Sequence, residues 1–262
     1  MTYKHLSVER RDHIAVVTLN RPERANALNF DHLSEIEHCA LSFRDDAETR
    51  VVIFTGAGKH FSSGADLVDF PDELAQPLLV RRRRFRIGER ALHAVLGIDQ
   101  ITIAAWNGGA LGGGACLVTA ADFRIGAEDC FIQYPEIDLG MNLMWQSLPL
   151  TVHLLGPTRA KRLVIGGERV HAETLLQWGL LEEVVPRATL LERARAFATT
   201  YVNKSPAAAQ MIKRSVNQIM GALDRALMHM DADQNLLTHT GLDQKAAAAA
   251  YAAKTVPEFS GD

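Results

Sequence analysis

The chain has 262 residues, 47% of them hydrophobic and 23% charged. That length suits one large domain, or a core with an appendage, and buries a core without disulfides or structural metals. The composition excludes a largely disordered or low-complexity chain, and a net charge of -3 supplies no global field for nucleic acid.

In chain order, residues 13–19 (HIAVVTL) are short and β-branched and read as a strand. Residues 20–24 form a loop, because Pro22 fixes φ and restricts its predecessor. Residues 31–43 read as a helix with Leu33, Ile36, Ala40 and Phe43 on one face, capped by Asn29 or Asp31. Residues 51–55 (VVIFT) are a buried strand that ends at Gly56-Ala57-Gly58-Lys59. Residues 73–97 are helical and rich in arginine. Residues 101–105 are another buried strand, followed by a glycine-rich turn and a helix at about 113–121. Phe123-Arg124-Ile125 and residues 181–185 are candidate short strands. From Leu143 onward most segments read helical, with breaks at Gly156-Pro157, Gly166-Gly167, Gly179 and Ser205-Pro206. Strand–helix alternation followed by helices predicts an α/β fold with parallel pairing.

The three cysteines, Cys39, Cys116 and Cys130, contain no C-x-x-C pair, so neither a disulfide framework nor a zinc site is expected. No stretch approaches 18 apolar residues and the N-terminus has no apolar signal region, so a cytoplasmic protein without membrane spans is expected. Several catalytic motifs fail. Leu117 breaks G-x-G-x-x-G, Ile53 and His60 break a Walker A, and Phe61 breaks G-x-S-x-G. No H-x-x-x-H pair carries a nearby acidic partner, so no metal is expected.

Three segments remain. Residues 58–67 (GKHFSSGADL) follow a strand, residues 106–114 (WNGGALGGG) join a strand to a helix, and residues 133–140 read QYPEIDLG. The second segment presents free N–H groups at a helix N-terminus, and the first is a small-residue loop that offers another. Two convergent N–H donors stabilise an enolate or a tetrahedral oxyanion. Glu136 lies after a proline among apolar neighbours, where desolvation raises a carboxylate toward acid/base duty.

In this order, with residues 20–28 (NRPERANAL) before them and a tail running from Tyr251 and Lys254 to Pro257 and Phe259, these segments resemble the crotonase superfamily, the enoyl-CoA hydratase/isomerase family. The resemblance covers about residues 5–260. It implies a crotonase-like spiral of ββα turns over residues 1–195 and a C-terminal helical trimerisation region over 196–262. It implies a homotrimer or homohexamer acting on an acyl-CoA thioester, with no cofactor beyond the coenzyme A of the substrate. The backbone N–H groups of Ser63 and Gly113 are expected to form the oxyanion hole, with Glu136 as acid/base. Arg24, Ala25, Ala27, Ala65, Asp66 and Leu67 are expected at the CoA moiety, completed by Lys254 and Phe259.

Two departures from the family pattern stand out. Hydratases with two glutamates carry the second two residues beyond the third glycine, and this chain has Cys116 there. A single Glu suffices to move a proton between the α- and γ-carbons, the isomerase pattern, so hydratase and isomerase both stay open. After Gly140, where the family often has a small Pro/Gly-rich stretch, stand Met141, Asn142, Leu143, Met144, Trp145 and Gln146. They either fill a core or reshape the acyl pocket. Rival readings are thioester hydrolysis, decarboxylation or C–C cleavage on the same fold, or a non-catalytic acyl-CoA- or RNA-binding protein. The arginine run at 81–84, 86 and 90 reads first as a solvated helix face, then as a contact for CoA phosphates, and last as an RNA contact; no nucleic-acid partner is expected.

Overall fold

The structure, a computed structural model, describes residues 2–66 and 76–262. Its first strand, β1 (Leu6–Arg11), is an edge strand with four exposed residues, so its alternation is faint. It turns through Asp12 and His13, both at positive φ, into β2 (Ile14–Leu19), with Leu6 opposite Leu19. The remaining strands are β3 (Val51–Gly56), β4 (Ile101–Trp106), β5 (Gly109–Leu111), β6 (Phe123–Ala127), β7 (Phe131–Gln133), β8 (Val170–His171) and β9 (Glu183–Val185).

They form a six-stranded sheet in the order β1-β2-β3-β4-β6-β9 and a three-stranded sheet in the order β5-β7-β8. Every pair from β2 to β9 in the large sheet is parallel. Both faces of such a sheet are covered, which is why its strands read as unbroken apolar runs. Alternate residues serve the two faces. Ile14, Val16, Ile53 and Ile103 join one buried cluster, and Ala15, Val17, Val52 and Ala104 join the other.

The helices are α1 (Phe30–Ser42), α2 (Leu78–Phe85), α3 (Ile87–Leu96), α4 (Gly113–Ala120), α5 (Leu148–Val164), α6 (Ala172–Gln177), α7 (Leu190–Val202), α8 (Pro206–Gly221), α9 (Asp224–Leu227), α10 (Asp231–Thr238) and α11 (Leu242–Ala253). The side chain of Asn29 caps α1 by accepting the His32 N–H at 2.9 Å. The arginine-rich segment is two helices that meet at Arg86, and residues 73–75 of its expected span lie outside the described residues. From β4 the chain adds β5 to the small sheet, returns through α4 to β6 in the large one, and then adds β7. This is a spiral of ββα turns.

The division expected between residues 195 and 196 falls inside α7. Leu190, Ala194 and Ala198 of that helix bury against the large sheet, so the spiral's own packing continues to its end. Beyond it the pattern changes. Along α8 and the turn after it, Met211, Ile212, Val216, Ile219 and Leu223 are exposed.

Candidate active site

The site begins with a register. Ser62 pairs with Ala110 in an isolated parallel bridge, its N–H reaching the Gly109 carbonyl at 3.2 Å and its carbonyl accepting the Leu111 N–H at 3.0 Å. Two residues on, Gly64 packs against the same turn: a Cβ built on it would lie 2.6 Å from the Leu111 carbonyl oxygen and 3.4 Å from the Gly113 nitrogen. A second bridge pairs Leu28 with Ala65, made by the Leu28 N–H to the Gly64 carbonyl (2.8 Å) and the Asp66 N–H to the Leu28 carbonyl (3.1 Å). In such a bridge the central residue's own N–H points away from its partner.

This register reassigns one expected donor. The Ser63 N–H donates to the Ala25 carbonyl at 2.9 Å, so it is not free for a ligand. The Gly64 N–H is taken by the Ser62 hydroxyl at 3.1 Å. The Ala65 N–H keeps no partner among the described residues, and Ala65, like Ser63, lines a cavity of about 570 Å³ together with Gly112, Gly113 and Glu136. Ala65 is the residue expected at the CoA moiety; of the two, it is the one whose N–H is unpartnered.

Gly113 opens α4, all of whose residues are buried. The first N–H groups of a helix have no internal acceptor, and the aligned peptide dipoles add partial positive charge there. The Gly112 N–H is held by the Gln133 carbonyl at 2.9 Å, which anchors the turn to β7 and leaves Gly113 facing the cavity. Gly112 itself has φ 47°, and a Cβ built on it would lie 2.6 Å from Glu136 Oε1. Only glycine admits both that backbone and that neighbour.

Glu136 stands before the one-turn helix at Ile137–Leu139. The Met141 N–H and the Leu139 N–H both donate to its carbonyl, so the backbone is fixed from the C-terminal side. Its Oε2 is sealed from solvent with no hydrogen-bond partner. Desolvation pushes the carboxyl up to about 7. It is the one carboxylate among the described residues lining the cavity.

Cys116 lines the same cavity, where the family's second Glu is expected. Burial pushes its thiol far above the ordinary range, with Glu136 adding to the rise. It is a neutral apolar wall. Tyr134 is fully buried beneath the site and hydrogen-bonds Thr151 at 3.0 Å.

The other expected residues divide. Arg24 is exposed, does not line the cavity, and has no ion-pair partner among the described residues. Ala25 closes the turn after Pro22 in a left-handed conformation, and Ala27 is buried. The Asp66 carboxylate turns inward to Arg21 at 3.0 Å, and Arg21 also holds the Ala27 carbonyl at 2.6 Å. Asp66 therefore braces the loop at 21–27 rather than presenting its charge to a ligand. Leu67 lies outside the described residues. Lys254 and Phe259 are both exposed and do not line this chain's cavity. Among the described residues Arg82 pairs with Asp233, Arg86 with Glu89 and Arg90 with Glu37. No group of three or more His, Cys, Asp or Glu side chains suited to a metal occurs among the described residues.

Sequence reasoning did not anticipate the C-terminal side of the cavity. Asn235 of α10, His239 just after it, and Gln244, Ala248 and Tyr251 of α11 cover it. Tyr251 belongs to the tail motif, but no local motif announces the other four, because they arrive by the path of the chain.

The profile of the family described as enoyl-CoA hydratase/isomerase matches residues 9–262. A crotonyl-CoA hydratase of Syntrophomonas wolfei is 32% identical over 262 residues, covering 99% of each chain. The solved structure of an enoyl-CoA hydratase from Bacillus anthracis superposes with a TM-score of 0.78 at 32% identity, covering 99% of this chain and 100% of that one. A monofunctional enoyl-CoA isomerase from M. smegmatis superposes with a TM-score of 0.71 at 30% identity, covering 83% and 94%. A ββα spiral, two cavity-lining residues with unpartnered backbone N–H groups, a desolvated glutamate and these likenesses agree: the chain belongs to the enoyl-CoA hydratase/isomerase family.

Proposed function

We propose that the protein moves the double bond of a 3-enoyl-CoA to the 2-position, using Glu136 alone. The observation that carries this reading is that Glu136 is the one carboxylate lining the cavity among the described residues, with an apolar Cys116 beside it. The thioester oxygen sits between the N–H groups of Ala65 and Gly113. The Glu136 carboxylate removes a proton from the α-carbon, and the electron pair spreads into a dienolate whose oxyanion the two donors hold. The Glu136 carboxylic acid then returns that proton to the γ-carbon, so mass is conserved and no cofactor beyond the substrate's CoA is required. A carboxyl near 7 suits both halves of this exchange at neutral pH.

Arg24 and the loop around Ala25 and Ala27 form the proposed CoA rim, with Arg24 toward phosphate. Lys254 and Phe259 are proposed to reach the CoA of a neighbouring subunit. The exposed stripe Met211, Ile212, Val216, Ile219 and Leu223 supports a homotrimer or a hexamer of two trimers, with the oligomerisation region starting after α7. Three buried free thiols agree with a reducing, cytoplasmic setting.

Hydration is the second reading, favoured by the 32% identity to a crotonyl-CoA hydratase. A panel of 2-enoyl- and 3-enoyl-CoAs read by mass spectrometry separates the two. Equal-mass conversion supports isomerisation, whereas gain of one water supports hydration.

A further inference from the structure

The cavity has two ends of different character. Tyr251 and Gln244 stand at the open end, while Leu28, Leu33, Phe85, Ile87, Cys116, Leu143 and Trp145 are buried around the closed end. At that closed end the Trp145 indole is wedged between two glycines. A Cβ built on Gly88 of α3 would lie 1.9 Å from the indole, and one built on Gly113 would lie 2.3 Å from it. The indole therefore packs against Gly113, whose N–H is proposed to hold the thioester oxygen.

Its placement is enforced by the backbone. Trp145 has φ 71° and Gln146 has φ 55°, two consecutive left-handed residues without glycine. L-residues rarely adopt that conformation in succession, so neighbours must hold it. Asp231 of α10 accepts the Gln146 N–H, and the Gln146 amide donates to Glu89 Oε1 at 3.2 Å. Glu89 is itself fixed by Arg86 at 2.9 Å. Asn235, one turn beyond Asp231, donates to the Asn142 carbonyl, and Thr238 Oγ1 accepts the Asn142 N–H at 3.2 Å. The C-terminal helix α10 thus clasps both ends of the segment that carries the indole.

We infer that Trp145 is the specificity-determining floor of the acyl pocket, held by Asp231 as a positioning residue, and that it restricts the enzyme to short acyl chains. The inference rests on the acyl-CoA reading of the cavity. A long chain running from a thioester at Gly113 toward the closed end meets the indole. An apolar pocket discriminates by about ten-fold or more for each methylene it cannot house.

The test is binding of saturated acyl-CoAs, from acetyl to dodecanoyl, measured by calorimetry, because saturated esters need no turnover. The wild-type protein is expected to bind butyryl-CoA at least about ten-fold more tightly than octanoyl-CoA. Trp145→Ala is expected to raise the octanoyl-to-butyryl affinity ratio by about ten-fold or more. Asp231→Asn keeps an acceptor oxygen and is expected to leave the ratio near wild type, whereas Asp231→Ala moves it in the direction of Trp145→Ala. Gly88→Ala pushes the indole into the cavity and shifts preference toward acetyl-CoA. Equal wild-type affinity for butyryl and dodecanoyl esters overturns the inference even if no variant folds, as does a folded Trp145→Ala protein with an unchanged ratio. If no acyl-CoA of any length binds, the acyl-CoA reading itself fails and takes the inference with it.

Discussion

The two walls of the cavity are built on opposite principles. The reacting wall uses backbone: the N–H groups of Ala65 and Gly113, with Glu136 against Gly112. The other part of the lining uses side chains, among them Cys116, Phe85, Ile87, Leu143 and Trp145, and offers no second carboxylate among the described residues. The reacting wall is set by sheet register and helix geometry, so it tolerates many side-chain choices around it. The side-chain wall is set by volume and by the clasp from α10, so it is where members of one fold acquire different chemistry and different substrates. Its apolar character also acts on the reacting wall, because it withholds water from Glu136.

The largest effect that breaks this contrast is Glu136→Gln. It removes the proposed base, the one carboxylate lining the cavity among the described residues, and is expected to lower isomerisation kcat by about 1,000-fold or more. The same change is expected to stabilise the fold at pH 8. The folded carboxyl titrates near 7, above its unfolded value of 4.5, so burial favours the protonated form. The native state therefore loses stability as pH rises from about 4.5 through 7, and at pH 8 the penalty is at most about 3 kcal/mol. Denaturant melts of both proteins at pH 5 and pH 8 check this: the gain appears at pH 8 and is small at pH 5.

Next in size is Gly112→Ala. The added Cβ meets Glu136 Oε1 and the φ of 47° disfavours alanine, so kcat is expected to fall about 100-fold in steady-state assays. Cys116→Glu sharpens the comparison from the other wall. A second carboxylate there is expected to convert some 2-enoyl-CoA to the hydrated product, detected as a mass gain of one water. The pH profile follows: kcat/KM for isomerisation is expected to rise as pH passes about 7 and then to level, because the ionised carboxylate is the base. Smallest is Ser63→Ala. The substitution leaves the backbone N–H and its bond to Ala25 in place, so kcat/KM is expected to stay within about two-fold of wild type, roughly 0.4 kcal/mol of barrier.

Much of this was legible in the sequence, and the exceptions have physical causes. The strands β2, β3 and β4 are buried on both faces and declare themselves as apolar runs. The strands β5, β7 and β8 span three residues or fewer, and β1 is mostly exposed, so neither length nor alternation marks them. Glu136 and Gly113 stood out by their motifs. The loop at 62–66 stood out too, but which of its N–H groups is free depends on pairing with Leu28 and Ala110, residues 37 and 48 positions from their partners Ala65 and Ser62. Short-range pattern carries no such register, so it does not show that the Ser63 N–H is bonded to Ala25. Nor does it show that the Asp66 carboxylate pairs with Arg21, 45 residues away. Trp145 reads as core or pocket with equal right, because the glycines that receive it lie 57 and 32 residues away, at Gly88 and Gly113.

The central claim, that one glutamate and two backbone donors suffice here, is tested most directly by incubating the wild-type protein and Glu136→Gln with 3-hexenoyl-CoA and following the products by mass and by chromatographic separation of the isomers. The account predicts equal-mass conversion to 2-hexenoyl-CoA by the wild type and its loss in the variant. Efficient hydration of 2-hexenoyl-CoA without isomerisation, or isomerisation that survives the loss of Glu136, would contradict it.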